Sequence, residues 1–114
     1  MLIKNITKKR VIAANYKLCD DILSKFIGLM FSRKLNKVLI FKFNKGHKIS
    51  LHMMFVFYPI DVLFLNKNKI VVDKKENFKP FTFYKSKEKA MYGIELSNGL
   101  IEKTKTEIGD KIEF

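Results

Sequence analysis

Residues 51–65 read LHMMFVFYPIDVLFL and form the most apolar segment of the chain. These fifteen residues are too few to cross a bilayer core of about 30 Å at about 1.5 Å per residue. Pro59 prevents one helix or one central strand from running through the segment, because proline lacks a backbone N–H. The segment therefore predicts two short buried strands, at about 53–57 and 60–65, joined at Tyr58 and Pro59.

Short apolar runs separated by polar turns continue on both sides of this segment. Asp20 or Asp21 can cap a helix over about 21–30, and Ser97 can cap a short helical turn through about residue 103. Many short strands with little helix are typical of a mainly β (α+β) fold, here a small β-sandwich or partly open barrel with one packed α-helix and a short helical turn. We predict further strands at about 2–6, 10–15, 38–43, 70–73, 81–84, 90–96 and 111–114, with turns at 7–9, 44–46, 66–69 and 109–110 and a loop at 74–80.

The length of 114 residues fits one compact domain, so we expect a single domain over residues 1–114. A chain of this size buries enough surface to fold without a metal or a disulfide. Cys19 is the single cysteine and cannot form an internal disulfide, and the first ten residues lack the apolar stretch of a signal peptide. These features favour a cytoplasmic location, and no motif indicates a cofactor.

The net charge of +12 is concentrated in one half of the chain. Residues 1–58 hold twelve Lys and Arg against two Asp and Glu, whereas residues 59–114 hold eleven against nine. A basic half can attract nucleic acid or an anionic membrane surface, and the aromatic residues interleaved with lysine at 78–85 could stack on bases. However, Arg10 and Arg33 are the only arginines, and phosphate recognition usually uses the planar fork of arginine. Nucleic-acid binding is therefore an alternative that is not favoured.

Asp61 and Glu95 are carboxylates inside apolar strands. In an extended strand Asp61 shares a face with Leu63 and Leu65. We interpret it as a structural acceptor for backbone N–H groups or as a partner of Arg33 or His52; the functional alternative is a pocket carboxylate with a shifted pKa. If their strands meet, Asp61 and Glu95 could instead form the carboxylate pair that hydrolases require.

Metal and nucleophile chemistry have weaker support. His47 and His52 are five residues apart, which places them on opposite faces of an extended segment, and no metal-binding motif accompanies them. No serine lies in a motif for activation, and Cys19 stands beside two carboxylates that raise the pKa of a thiol. We therefore assign no catalytic residue, no metal and no cofactor.

Several short motifs occur in order along nearly the whole chain. They are Gly28-Leu29-Met30 with Arg33, His52-Met53-Met54-Phe55, the block PIDVLFL at residues 59–65, Pro80, Glu95-Leu96 with Gly99, and Gly109-Asp110. With these motifs the chain resembles an uncharacterised family, number 192 in the domain-of-unknown-function series. The resemblance implies a mostly β fold of one domain with a helix packed against it. It implies no activity and no catalytic residues.

The favoured hypothesis is a non-enzymatic binding or accessory domain for an unknown ligand or protein. In this hypothesis Arg33, His52, Asp61 and Glu95 form a polar cluster at one end of the β core. The alternatives are a basic nucleic-acid-binding module and an enzyme that uses the buried carboxylates Asp61 and Glu95 with His52. The sequence leaves the oligomeric state open and predicts no membrane span.

Overall fold

The computed structural model describes residues 2–19, 38–47, 50–52, 59–79 and 82–114. Ten strands and one helix lie among these residues. They are β1 (Ile3–Asn5), β2 (Arg10–Ala13), β3 (Tyr16–Cys19), β4 (Val38–His47), β5 (Ser50–His52), β6 (Ile60–Leu65), β7 (Val71–Phe78), β8 (Phe83–Lys85), β9 (Ala90–Ser97), α1 (Leu100–Thr104) and β10 (Ile112–Glu113). None of the helical structure in this part of the chain is long and apolar enough to span a membrane.

A five-stranded sheet in the order β3-β4-β9-β6-β7 forms the centre of the molecule. β3 and β4 are parallel, and the remaining neighbours are antiparallel. β6 has the predicted bounds, and all six of its residues are buried. A strand is buried along its whole length in this way when both faces of its sheet are covered.

The two faces of the central sheet carry different side chains. One face, here called the aromatic face, carries Leu39, Phe41, Val62 and Phe64. Tyr84 of β8 packs on this face, with its ring centroid 5.7 Å from that of Phe64. β8 pairs with β5 in a two-stranded sheet.

The opposite face, here called the aliphatic face, carries Ile40, Leu63, Leu65 and Ile94. The three-stranded sheet β10-β1-β2 and the helix α1 pack against it. Open sheets packed face to face in this manner make a small β-sandwich, so the predicted mainly β fold is confirmed and the first of its two predicted architectures is present.

Two predicted breaks between strands are wrong. β4 continues through the predicted turn at 44–46, because His47 pairs with Ala90 after a register shift. β7 continues through most of the predicted loop at 74–80, because Phe78 pairs with Ile60. A polar run looks like a loop in sequence, but a strand with exposed positions can contain it when a neighbouring strand supplies hydrogen bonds. The strand Tyr16–Cys19 was also not predicted.

The predicted helical turn is present, but it does not begin at Ser97. α1 begins after Gly99, which has a φ of 89° and provides no side-chain cap. The predicted helix at 21–30 and the predicted strand at 53–57 lie outside the described residues.

Candidate functional site

Asp61 joins three parts of the structure through its carboxylate. Its Oδ1 accepts hydrogen bonds from the Asn77 N–H at 2.9 Å and from Asn98 Nδ2 at 3.3 Å. Its Oδ2 accepts from the N–H groups of Gly99 at 3.0 Å and Ile101 at 3.1 Å. A carboxylate has about four acceptor sites, so these four donors saturate it. Asp61 has the geometry of a structural acceptor.

Asp73 is a second buried carboxylate with its own donors. It accepts hydrogen bonds from the Tyr84 hydroxyl at 2.7 Å and from the N–H groups of Lys87 and Lys74, each at 2.8 Å. Burial, followed by the Asp73 hydrogen bond and charge, raises the pKa of Tyr84 to about 12. Asp73 and Val71 are among the residues that line an open groove of about 810 Å³. The Asp73 carboxylate oxygens already accept hydrogen bonds from the protein itself.

Asp110 is a third buried carboxylate, and it also accepts several hydrogen bonds. Its donors are Asn5 Nδ2 at 2.9 Å, Lys8 Nζ at 2.9 and 3.0 Å, and the Glu107 N–H at 2.9 Å. Burial alone would raise the pKa of Asp110, but the hydrogen bonds from Asn5, Glu107 and Lys8 lower it overall. The bond to Asp110 in turn raises the pKa of Lys8.

Glu95 differs from these three carboxylates. Its side chain is only 2% exposed, and its Oε2 is buried with no hydrogen-bond partner among the described residues. It lies on the aromatic face of β9, opposite Leu39 on one side and Val62 on the other. Burial among these apolar groups raises the pKa of Glu95 well above its usual value. Burial therefore favours the protonated, uncharged form of the Glu95 carboxyl group.

Gly93 lies two residues before Glu95 on the same face of β9. Its cross-strand neighbours are Phe41 and Phe64, and the pairing runs through it without a register shift. A Cβ added at this buried glycine would meet no atom of the described residues within 4 Å. Its φ is not positive, so the backbone does not require glycine here. We call this position, which no described residue fills and which has Phe41, Phe64 and Glu95 around it, the Gly93 slot.

The structure does not bring Asp61 and Glu95 together. Asp61 pairs with Leu96 and Glu95 pairs with Val62, so the two carboxylates point to opposite faces of adjacent strands. This geometry contradicts the carboxylate pair of the enzyme hypothesis and prevents both residues from joining one cluster. Arg33 lies outside the described residues, and so does the side chain of His52, so their part in a polar cluster remains a prediction.

Phe78 and Tyr84, the aromatic residues of the 78–85 segment whose side chains the structure describes, do not form a stacking surface for bases. Phe78 is 1% exposed, and its ring packs against Tyr84 at a centroid distance of 6.4 Å. Tyr84 is partly buried and also packs against Phe64, so the described faces of both rings contact the core. Nor do the described residues contain a group of three or more His, Cys, Asp or Glu side chains that could hold a metal ion.

Sequence reasoning did not single out Gly93. The signal was a glycine inside an apolar strand, which often marks a bulge, a bend or the close approach of a ligand or another backbone. The regular pairing of β9 at Gly93 excludes a bulge at that residue. The strands that pair with β9 at Gly93, and the space beside this glycine, become known only with the tertiary structure.

Nearly the whole chain matches one protein family. The model of the DUF192 family, described as "Uncharacterized ACR", matches residues 3–114. A UPF0127 protein of Pyrococcus furiosus is 41% identical over 112 residues, which cover 96% of this chain and 95% of that protein. A UPF0127 protein of Pyrococcus horikoshii is 34% identical over 114 residues, covering 99% of this chain and 98% of that one.

Two crystal structures share the fold. A protein of unknown function from Novosphingobium aromaticivorans has a TM-score of 0.85 at 22% identity, covering 99% of this chain and 82% of that one. A protein from Sinorhizobium meliloti, described as a putative transcription regulator, has a TM-score of 0.86 at 22% identity, with coverages of 98% and 89%. At 22% identity, the similarity to these two structures shows a shared fold and nothing further.

Proposed function

The chain belongs to the DUF192 family, and on that premise we propose that it is a non-enzymatic binding domain whose ligand occupies the Gly93 slot. One observation carries the proposal. An unpartnered buried carboxyl oxygen, that of Glu95, lies beside a buried glycine whose missing side chain no described residue replaces.

Both features are unfavourable in a protein that binds nothing. Protein interiors are packed as densely as organic crystals, and an unfilled space forfeits dispersion contacts. A buried polar group without a partner costs about 1–3 kcal/mol. Among the described residues, these two features occur at neighbouring positions on one face of the central strand, where we expect a ligand to complete the packing.

Binding is favoured over catalysis because the described cross-strand neighbours of Glu95 have no titratable or nucleophilic side chain. These neighbours are Leu39 on β4 and Val62 on β6. Acid–base or nucleophilic catalysis needs a second titratable or nucleophilic group within hydrogen-bonding distance.

Benzene is a suitable first probe, since dry apolar cavities in proteins bind it. We expect benzene to produce saturable changes in the amide NMR signals of Gly93 and Glu95. Gly93→Leu, which places a side chain in the slot, should abolish these changes. Ser97→Leu is the matched control, because it adds the same group to the exposed end of the same strand face and should leave the response intact.

Gly93→Ala is a second, smaller substitution that tests the proposal even if the Gly93→Leu variant does not fold. An alanine suits an extended backbone, so we expect this variant to be about 0.5–1 kcal/mol more stable to urea and to bind benzene more weakly. The binding function would be refuted if benzene did not change the amide NMR signal of Gly93 in the wild-type protein. It would also be refuted if benzene changed the signals of the Gly93→Leu variant as much as those of the wild type.

A further inference from the structure

We propose that the ligand of the Gly93 slot is an uncharged, flat organic molecule that presents a hydrogen-bond acceptor to Glu95. This inference rests on the binding function proposed above and adds the chemical class of the ligand. It follows from the two walls of the slot, from the group at its polar end and from the charges that the described lining lacks.

The walls favour a flat ligand. Phe41 and Phe64 lie on the strands at either side of β9. Neighbouring strands are about 4.8 Å apart, so the Cα atoms of these residues are separated by about 9.6 Å across the glycine. Aromatic rings on two sides provide stacking and edge contacts for a planar molecule. Tyr84 packs against Phe64 at 5.7 Å and supports that wall in advance of binding, which reduces the entropic cost of association.

The polar end favours a hydrogen-bond acceptor. Burial favours the protonated form of Glu95, and in that form its carboxyl group carries one O–H donor. The buried Oε2 of this group has no hydrogen-bond partner among the described residues. A ligand carbonyl or ring nitrogen within reach would supply the missing partner.

Charge is unfavourable at this position. An ammonium group would have to deprotonate Glu95 and place two ions in an apolar setting, and the desolvation penalty of such a pair can exceed the attraction. An anion would find no compensating positive charge among Leu39, Phe41, Val62 and Phe64, the described cross-strand neighbours of Gly93 and Glu95. A neutral molecule avoids both penalties.

Three benzene derivatives of similar size separate these possibilities: benzamide is neutral, benzylamine is cationic at pH 7, and benzoate is anionic. We expect benzamide to shift the amide signals of Gly93 and Glu95, with an affinity at least about tenfold higher than that of either charged probe. Glu95→Gln retains an N–H donor and should bind benzamide within a few-fold of wild type. Glu95→Leu removes the donor and should lose about tenfold or more.

The outcomes distinguish this inference from the binding function itself. Preferential binding of benzylamine or benzoate, or unchanged benzamide affinity in Glu95→Leu, would overturn the ligand class while leaving the slot occupied. If benzamide fails to bind while benzene still binds, the ligand class is also wrong. If neither benzene nor any derivative binds, both proposals fail.

Discussion

Glu95 shows how the surroundings of one residue decide its chemistry. Asp61, Asp73 and Asp110 are as deeply buried, but each accepts hydrogen bonds from several donors. Glu95 has apolar cross-strand neighbours instead, so burial raises its pKa. In the folded state it therefore holds a proton at pH values where the unfolded chain has released it.

We predict that Glu95→Gln increases stability at high pH. Above the ordinary pKa of 4.5 the folded protein binds more protons than the unfolded chain, so wild-type stability falls as pH rises towards the raised pKa of folded Glu95. Glutamine keeps the shape and cannot ionise. Urea unfolding should show a gain of at least about 1 kcal/mol at pH 8 that shrinks towards pH 4.

The exposed Glu88 offers a matched control for this experiment. Glu88→Gln should follow the wild-type pH dependence throughout. Parallel stability curves for wild type and Glu95→Gln between pH 4 and pH 8 would show that Glu95 is ionised in the folded protein.

At the scale of the elements, Asp61 explains why α1 forms where it does. A five-residue helix has little stability of its own, because nucleation is unfavourable. Asp61 on β6 binds the N–H groups of Gly99 and Ile101, which occupy the start of this helix. It also binds the N–H of Asn77, which has a φ of 51° near the end of β7. The Asp61 side chain on β6 thus binds both the end of β7 and the start of α1.

We expect Asp61→Ala to reduce the free energy of unfolding by about 3 kcal/mol, because three backbone N–H groups lose their acceptor. Asp61→Asn retains one acceptor oxygen and should lose roughly half as much. Urea unfolding measures both losses, and hydrogen exchange at Ile101 should accelerate more in the alanine variant. Equal losses below about 0.5 kcal/mol would assign Asp61 the energetics of a surface residue.

At the scale of the whole molecule, the network around Asp110 connects the two ends of the chain. Asn5 and Lys8 reach it from β1 and the turn that follows, across more than 100 residues of sequence. The Glu107 N–H and the Thr106 hydroxyl complete the network from the C-terminal side. These contacts support the pairing of β1 with β10 in the three-stranded sheet.

We predict that Asp110→Asn lowers stability at pH 7 by about 2 kcal/mol, the value of hydrogen bonds to a charged group. Because the folded-state pKa of Asp110 is lowered from 3.8, its stabilisation is complete above that value and disappears as pH falls through the folded-state pKa. The difference between variant and wild type should therefore narrow below about pH 4 in thermal melts.

Glu107→Gln is the control for the charge at Asp110. The Glu107 carboxylate is 68% exposed and lies 3.7 Å from Lys8 Nζ, so its loss should change stability by less than about 0.5 kcal/mol. A larger effect from Glu107→Gln than from Asp110→Asn would place the main electrostatic contact outside the buried network.

Local patterns predicted much of this fold. The proline at 59 and the apolar run after it define β6, and the alternation in β4 assigns Leu39 and Phe41 to one face and Ile40 to the other. Polar residues set the turn at 66–69, where the Lys69 N–H donates to the Asn66 carbonyl at 2.9 Å. The resemblance to a known family is confirmed over residues 3–114.

The candidate site depended on the tertiary structure. Side chains alternate along a strand, so a shift of one residue in pairing reverses the face of every side chain. Sequence alone could therefore show that Asp61 and Glu95 lie in apolar strands, but only strand register could place them on opposite faces. Likewise, Gly93 is an ordinary strand glycine until Phe41 and Phe64 from two other strands are placed beside it. Periodicity along the chain determined the strands, and the pairing between distant strands decided the site.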